Sequence, residues 1–305
     1  MVLYQLKYIL TSILLLVCSS FVLGQSHLKL SFDADVGLRF ENMDWSIAGN
    51  LEGTNPNVKS ELKWKDLVIA EFKISSGFKL NRRLSFEAGA SFGKTLSGKV
   101  SDIDYEEDNR NKPSYQLFIE NKKGSNISFF TQLGYHFYPL KSLEIYPVLG
   151  FKYSSHLYWL SDKSIMVGEE SLNSSYHSYW KGPFTGIFLN ISLIDKLKIQ
   201  SNFLYHQLNY KAEANWNLIN QFSHPISFLH TAKGYQISSS FSPSWQLNNK
   251  VNLYMNISHN YSTTAAGNDL AFMNDGSQNY TKLNEVSLGS WFSGLGIKYY
   301  LDMRH

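Results

Sequence analysis

Two closely spaced carboxylates lie in the segment Ser101-Asp102-Ile103-Asp104-Tyr105. On an extended chain, side chains at i and i+2 point the same way, so Asp102 and Asp104 would lie close together. Two like charges at this spacing raise the pKa of one carboxyl and allow the pair to hold or move a proton. Such a pair can activate a water molecule for hydrolysis. Three more acidic residues follow at 106–108, so an ordinary acidic loop is the alternative interpretation.

The rest of the chain offers little other chemistry. The only cysteine, Cys18, lies in an N-terminal segment that we expect to be removed, which excludes disulfides and thiolate sites from the mature chain. No phosphate-binding loop or nucleophile motif occurs, and we expect neither a metal nor a cofactor. The net charge of +3, from 28 basic and 25 acidic residues, gives no reason to expect nucleic acid as a partner. Four histidines lack metal-ligand spacing: His156, His177, His224 and His230.

The N-terminus has the organisation of an export signal. Lys7 precedes an apolar run over residues 9–17, and residues 22–24 offer a cleavage site. We therefore predict a signal peptide over residues 1–24 and one mature domain over residues 25–305. A lipoprotein signal at Cys18 is the alternative, which the bulky preceding valine disfavours.

Apolar and polar residues alternate along much of the chain. In residues 61–80 one parity is apolar, including Leu62, Trp64 and Phe72, whereas the other carries charges such as Glu71 and Lys73. Because successive side chains of a strand point to opposite faces, this pattern predicts a strand with one apolar and one charged face. The run of about 20 residues is far longer than an ordinary strand of about 5–6 residues.

About ten such segments occur, and the connections between them alternate in length. The predicted strands are 28–42, 59–80, 84–96, 126–138, 143–158, 183–193, 197–210, 229–246, 251–261 and 286–302. Four short turns are predicted near 81–83, 139–142, 194–196 and 247–250, and five long polar loops near 43–58, 97–125, 159–182, 211–228 and 262–285. An even strand number, short periplasmic turns and long extracellular loops are typical of outer-membrane barrels.

The composition also favours a membrane barrel. Charged residues make up 17% of the chain and aromatic residues 15%, while a mean hydropathy of −0.24 excludes a bundle of transmembrane helices. A closed barrel can face lipid with every backbone group hydrogen-bonded, and the aromatic excess fits belts at the two membrane interfaces. We predict an all-β fold, a closed antiparallel transmembrane β-barrel in the outer membrane of a Gram-negative-type bacterium. A soluble β-sandwich or lipocalin-like barrel is the alternative.

The charged parity of the second strand would line the barrel interior. Lysine and glutamate residues there would neutralise each other, or would line a selective pore. Even-numbered residues of 84–92 would face lipid, yet Asp102 and Asp104 are even-numbered as well. Either a bulge at Gly93 or Gly98 shifts the register, or the two aspartates lie in a loop beyond the strand.

Several stretches resemble the omptins, a family of ten-stranded outer-membrane proteases of the aspartic type. The resemblance covers most of the mature chain, and the order and spacing of the stretches carry it more than any one of them. It implies a catalytic groove at the extracellular end of the barrel. The matching stretches are residues 60–65, 89–91 with 95–96, 102–105, 235–257 and 294–299.

In omptins an aspartate pair on one wall of the groove faces an Asp-His pair on the other, and together they polarise the attacking water. The resemblance assigns the first pair to Asp102 and Asp104. It places Asn215 and Asn217 where the second pair would stand, and asparagine cannot take up a proton at useful pH. Two histidines near these asparagines in sequence are candidate substitute bases; we expect one on the barrel wall and one in a loop, namely His206 and His224.

The resemblance also implies that lipopolysaccharide binds through basic groups. Four candidates lie in or beside the second long loop, where they would meet anionic headgroups: Arg110, Lys112, Lys122 and Lys123. Solubilising loop charges are the alternative interpretation.

These observations predict an omptin-like outer-membrane barrel without proteolytic activity, which acts as a surface, binding or pore-forming protein. The alternative is an aspartic-type endopeptidase that uses Asp102, Asp104 and a base that the sequence does not identify. The expected partners are outer-membrane lipid, the outer-membrane assembly machinery, and a peptide or surface ligand at the extracellular loops.

Overall fold

A computed structural model describes residues 28–303, which form thirteen β-strands. The predicted signal peptide and Cys18 lie outside the described residues. Within the described part, a three-residue 3-10 turn is the one helical element, and no helix there is long and apolar enough to cross a bilayer. The strands are β1 (Leu28–Ile47), β2 (Ser60–Lys79), β3 (Leu84–Glu107), β4 (Asn111–Glu120), β5 (Gly124–Tyr135), β6 (Phe137–Leu140), β7 (Leu143–Val167), β8 (Glu170–Ile194), β9 (Leu197–Asn215), β10 (Phe228–Gln246), β11 (Val251–Thr264), β12 (Gly267–Phe272) and β13 (Gln278–Met303).

The strands form one closed antiparallel ring. Neighbouring walls pair in chain order, and β13 pairs back onto β1 from Leu28 opposite Met303 to Ile47 opposite Leu283. β4, β5 and β6 follow one another along a single wall, and so do β11 and β12. The ring therefore has ten walls, and the prediction of a closed barrel of about ten strands is confirmed.

The connections alternate between the two ends of the barrel, but three of the five extracellular loops are much shorter than predicted. The periplasmic turns are 80–83, 141–142, 195–196 and 247–250, and the extracellular connections are 48–59, 108–110, 168–169, 216–227 and 273–277. Most residues of the five predicted loops instead extend the strands beyond the membrane. Their high Asn and Ser content indicated loops, whereas these strands carry polar side chains because their outer face meets water.

The periplasmic half of the barrel, which we call the membrane zone, has an apolar exterior and a charged interior. Inside it, Arg39 pairs with Glu71, and Lys298 lies 3.2 Å from Asp33. These ion pairs neutralise one another in the lumen. Each wall presents a large exposed apolar side chain to lipid, for example Phe40, Phe72, Phe92, Leu133, Leu149, Ile187, Phe203, Phe241, Leu253 and Leu295.

A bulge shared by β2 and β3 marks the upper limit of the membrane zone. Lys65 pairs with Lys99, but the next pairs, Val68 with Ser97 and Ile69 with Thr95, are out of step. The bulge is crowded at Gly98, where a Cβ would lie 2.4 Å from the Cδ2 of Leu67. Of the two bulge positions predicted, Gly98 is therefore the one that the structure adopts.

The bulge reverses which parity points inward. Below it, Ile69 and Glu71 of β2 face the lumen; above it, Leu62 and Trp64 do so and are fully buried. The prediction that Leu62 and Trp64 share the lipid face of Phe72 is therefore wrong, because it assumed an unbroken register. The region above the bulge, which we call the extracellular zone, has an apolar interior and a largely polar exterior.

An aromatic-rich cluster fills the extracellular zone, and we call it the extracellular core. Trp64 of β2 reaches across to Tyr158 of β7 at 4.9 Å between ring centroids and to Tyr176 of β8 at 5.6 Å. Trp45 of β1 stacks on the same Tyr176 at 5.7 Å. The aromatic excess thus fills the interior as well as the membrane interfaces. The core comprises Met43, Trp45, Leu62, Trp64, Leu67, Ile69, Val100, Tyr158, Leu160, Leu172, Tyr176, Trp180, Leu208, Tyr210, Ala212, Ala214, Trp216, Phe228, Leu283, Val286 and Leu288.

Candidate functional site

The aspartate pair lies on β3 above the bulge, and the reversed register turns Asp102 into the barrel. Asp102 lies in the ladder between Leu62 of β2 and Leu117 of β4. Its exposed fraction is 7%, so the carboxyl is enclosed by the extracellular core. Asp104, two residues nearer the rim, is half-buried and makes a hydrogen bond with Ser60. Both aspartates therefore belong to a strand, and the loop interpretation does not apply.

Burial shifts the acidity of both carboxyls. Desolvation, together with the neighbouring charge of Asp104, raises the pKa of Asp102 to about 7. Desolvation also raises the pKa of Asp104, although the hydrogen bond to Ser60 and the charge of Lys59 oppose this change. Proton sharing between the two carboxyls stays a prediction.

The opposite wall meets Asp102 with an aromatic ring. Trp216, directly after β9, lies close enough to the Asp102 carboxyl to oppose the rise of its pKa, and is itself 9% exposed. Its ring packs on Phe228 at 4.8 Å and lies 6.5 Å from Trp45, and its backbone N–H donates to the Ser227 hydroxyl at 2.9 Å. The two walls of the expected groove therefore come together, and aromatic rings fill the space between them.

The positions of the second catalytic pair are used for structure. Asn217 accepts the backbone N–H of Asn173 at 2.9 Å and donates to the carbonyl of Ser171 at 2.9 Å, which fixes the 216–227 loop to β8. Asn215 contacts His224, with 2.8 Å between its Oδ1 and the Nδ1 of the ring. His224 is exposed in that loop. These bonds assign no proton-transfer role to either asparagine.

The remaining candidate base lies in the membrane zone. His206 is a wall residue of β9, 2% exposed, with its ring 4.8 Å from Phe184. Across the ladder it stands opposite Gln236 of β10. It therefore lies apart from the aspartate pair on the extracellular part of β3, and the structure brings neither histidine to Asp102.

A histidine–aspartate pair that the sequence analysis missed lies inside the extracellular core. His230 and Asp269 stand opposite each other on β10 and β12, with 3.2 Å between Nε2 and Oδ1. The other ring nitrogen of His230 lies 2.8 Å from the Tyr176 hydroxyl, which lies 2.6 Å from that of Tyr210. His230 is fully buried beneath Phe228, at 5.0 Å between rings. Sequence spacing gives no signal for this pair, because only the pairing of β10 with β12 brings it together.

The four basic candidates separate into two places. Arg110 and Lys112 lie at the rim, and both are paired: the guanidinium of Arg110 contacts Glu61 at 2.6 Å and Lys112 contacts Glu106 at 2.5 Å. The other two lie at the junction of β4 and β5, just above the membrane zone. Lys122 pairs with Glu120 at 2.8 Å, whereas Lys123 packs 3.2 Å over the Trp159 ring and donates to Asn173.

Comparison with known proteins agrees with this architecture. A family model described as Pom, Protochlamydia outer membrane protein, matches residues 33–304. The crystal structure of the outer membrane protease OmpT from Escherichia coli is similar in fold, with a TM-score of 0.68 and 13% identity over 90% of this chain and 97% of that one. The translocator domain of the autotransporter NalP from Neisseria meningitidis matches with a TM-score of 0.40 and 9% identity over 90% of this chain and 89% of that one. The outer membrane protein OprG from Pseudomonas aeruginosa matches with a TM-score of 0.37 and 11% identity over 91% of this chain and 99% of that one. None of the curated proteins matches this sequence.

Proposed function

From the premise that this chain belongs to the Protochlamydia outer membrane protein family, we propose that it is a non-proteolytic, non-conducting surface barrel that binds a ligand at its extracellular zone. The observation that carries the proposal is the contact between Asp102 and Trp216. That contact fills the place where a substrate peptide and an attacking water would lie in a groove of the omptin kind. When the groove of an outer-membrane barrel is filled in this way, the outer walls and the rim are the surfaces that remain for binding a ligand.

The chemistry of the filled groove supports a non-proteolytic role. Hydrolysis by paired carboxylates needs a water within hydrogen-bonding reach of the base and of the scissile carbonyl. The Asp102 carboxyl instead lies beside an indole, which gives up no proton at useful pH. The asparagines of the opposite wall are committed to the 216–227 loop.

A peptidase assay tests this proposal. The mature protein, refolded in detergent with added lipopolysaccharide, is incubated with fluorogenic peptides that carry paired basic residues. We expect the same background signal from the wild type and from the Asp102→Asn/Asp104→Asn double variant. Cleavage by the wild type that the double variant loses would establish the alternative, an endopeptidase with an unidentified base.

A filled interior also speaks against conduction. The extracellular core spans the barrel from β1 and β2 to β7 and β8, and ion pairs occupy the lumen below it. In planar bilayers we expect no stepwise current from the wild type. Regular conductance steps at neutral pH would overturn this part of the proposal.

We also propose that Lys122 and Lys123 meet anionic lipid headgroups, because both lie just above the membrane zone. Lys123 has no carboxylate partner among the described residues, unlike Arg110 and Lys112 at the rim. Lys123→Ala should weaken the binding of lipopolysaccharide micelles, whereas Lys112→Ala should not. Equal losses in the two variants would contradict a site at the β4–β5 junction.

A further inference from the structure

One border of the extracellular zone is left open. β4 pairs with β3 alone, and the ladder between β5 and β7 ends at Gly124 opposite Tyr158. Above that level, β7 pairs with β8 alone. All the other neighbouring walls continue their ladders into the extracellular zone of the described chain. We call the gap between Asn111–Glu120 and residues 159–167 the β4–β7 seam.

The seam presents two unpaired strand edges. Each edge carries a row of backbone N–H and C=O groups, which is a template for an added strand. Pro113 lies near the rim end of β4, a position that edge strands tolerate because proline lacks the N–H. Residues 114–120 remain as an edge of seven residues, about the length that a bound peptide strand occupies. The β7 edge is less regular, since its pairing with β8 shifts between Asp162 and Met166.

Exposed apolar side chains flank the same edges although they lie outside the membrane zone. Phe118 of β4 is 65% exposed, and Met166 and Val167 of β7 are 55% and 53% exposed. On the inner side of β4, Leu117 and Ile119 pack only partly against the extracellular core. A peptide strand with alternating apolar residues would cover these groups, whereas water leaves them exposed.

The geometry of the bilayer excludes one occupant of the seam, a second copy that pairs its β4 with this β4. A symmetric antiparallel pairing of β4 edges needs a twofold axis perpendicular to the strands, and such an axis would place the second barrel upside down in the membrane. A second copy with the same orientation cannot form that ladder. Leu28 pairs with Met303, so both ends of the described chain lie at the periplasmic end of the barrel. The seam lies at the opposite end.

We propose that the β4–β7 seam captures an extended peptide segment of another protein as an added β-strand. The inference rests on the proposed binding function and names its partner class. The main chain of the peptide pairs with residues 114–120, and its apolar side chains alternate with polar ones. At the membrane end of the seam Lys122 is paired with Glu120, whereas Lys123 contacts no carboxylate among the described residues; Glu169 and Glu170 lie at the outer end. The segment therefore carries its acidic end toward the membrane and its basic end outward.

Amide hydrogen exchange on the detergent-solubilised protein tests the open edge without any ligand. We expect amides of residues 114–120 to exchange at least tenfold faster than those of 60–64 on β2, a segment that is paired on both sides at the same level of the barrel. Equal protection of the two segments would show that the seam is closed and would overturn the proposal.

Peptide capture tests the partner class. The probe is a pool of eight-residue peptides that alternate apolar with polar residues and carry an acidic N-terminus and a basic C-terminus. At about 100 µM, a range typical of weak recognition, we expect retained peptides to slow exchange at 114–120. Alternate N-methylation of the strongest peptide should abolish binding, because it removes the backbone donors. Retention of no peptide, or equal binding after N-methylation, would overturn the proposal.

A matched pair of variants locates the site. Phe118→Ser should weaken the strongest peptide about tenfold, whereas Tyr280→Ser, which removes a similarly exposed ring (52%) from β13 where that strand pairs with β12, should leave its affinity unchanged. Equal effects would contradict binding at the seam. Mass spectrometry of the recovered peptide separates the two proposals. An intact peptide that does not bind would refute only the peptide site at the seam, whereas a cleaved peptide would refute the non-proteolytic function.

Discussion

Replacing Asp102 by asparagine should stabilise this protein at neutral pH and above. Desolvation and the neighbouring Asp104 raise the pKa of Asp102 from 3.8 to about 7. Between about pH 4 and pH 7, the folded protein therefore holds a proton that the unfolded chain has released. The free energy of unfolding consequently falls as the pH rises through this window, and it stays lowered above it.

The size of the effect follows from the pKa change. Moving a pKa from 3.8 to about 7 corresponds to roughly 4 kcal/mol once the carboxyl is ionised in both states. Asparagine removes the ionisation but keeps an oxygen beside the Trp216 indole. We expect Asp102→Asn to raise the free energy of unfolding by about 2–4 kcal/mol near pH 8 and to change it little near pH 3.5.

Urea unfolding in detergent micelles, followed by tryptophan fluorescence at a series of pH values, measures this difference. Asp104→Asn is the matched control, because Asp104 is half-buried and hydrogen-bonded to Ser60, so its gain should be smaller. A difference between wild type and Asp102→Asn that is independent of pH would refute the reasoning. So would a loss of stability near pH 8, which would mean that the ionised carboxyl has a partner that compensates its burial.

Three further perturbations test the parts of the extracellular zone. Gly98→Val should cost about 1–3 kcal/mol in urea unfolding, since its Cβ would meet Leu67 at 2.4 Å; an unchanged midpoint would contradict the crowded bulge. Trp64→Ala should cost about 3–5 kcal/mol in the same assay because the ring is fully buried, and a loss below about 1 kcal/mol would mean that the core is loosely packed. Burial raises the pKa of Glu61, but the hydrogen bonds from Arg110 and Lys63 outweigh it and lower this pKa. The ion pairs of Glu61 therefore stabilise the rim above about pH 4.5, and this stabilisation is lost as the pH falls through the lowered pKa. Glu61→Gln should therefore speed amide exchange at 108–110 near pH 7, and this effect should shrink as the pH falls below about 4.5; an effect that does not change with pH would show that the pair does not hold the rim.

The ten walls of the barrel could be predicted from the sequence because the period-two pattern is a local property of each strand. The alternation of turn lengths then placed both termini at one end without any knowledge of contacts. The pattern also located the aspartate pair and showed that it could point inward only with a bulge. The bulge is at Gly98, where a close approach of Leu67 leaves no room for a side chain.

The extracellular zone was hidden from the sequence for two physical reasons. Its strands are polar on the face that meets water, so segments such as 159–182 have the composition of loops although they are paired. The interior residues alternate with a parity that the bulge reverses, so Leu62 and Trp64 were expected on the wrong face. The pair His230 and Asp269 depends on contacts between β10 and β12, which no local pattern encodes.

The change from an apolar to a polar outer face along the strands fixes the depth of the protein in its bilayer. Sliding the barrel inward would press the polar outer face of residues such as Asn173 and Lys211 into hydrocarbon, and sliding it outward would wet the apolar side chains of Phe92 and Leu96. Both movements therefore cost free energy, because each moves side chains across the boundary between hydrocarbon and water. The height at which the rim stands above the cell surface is therefore set by the level at which the outer faces of the strands change from apolar to polar.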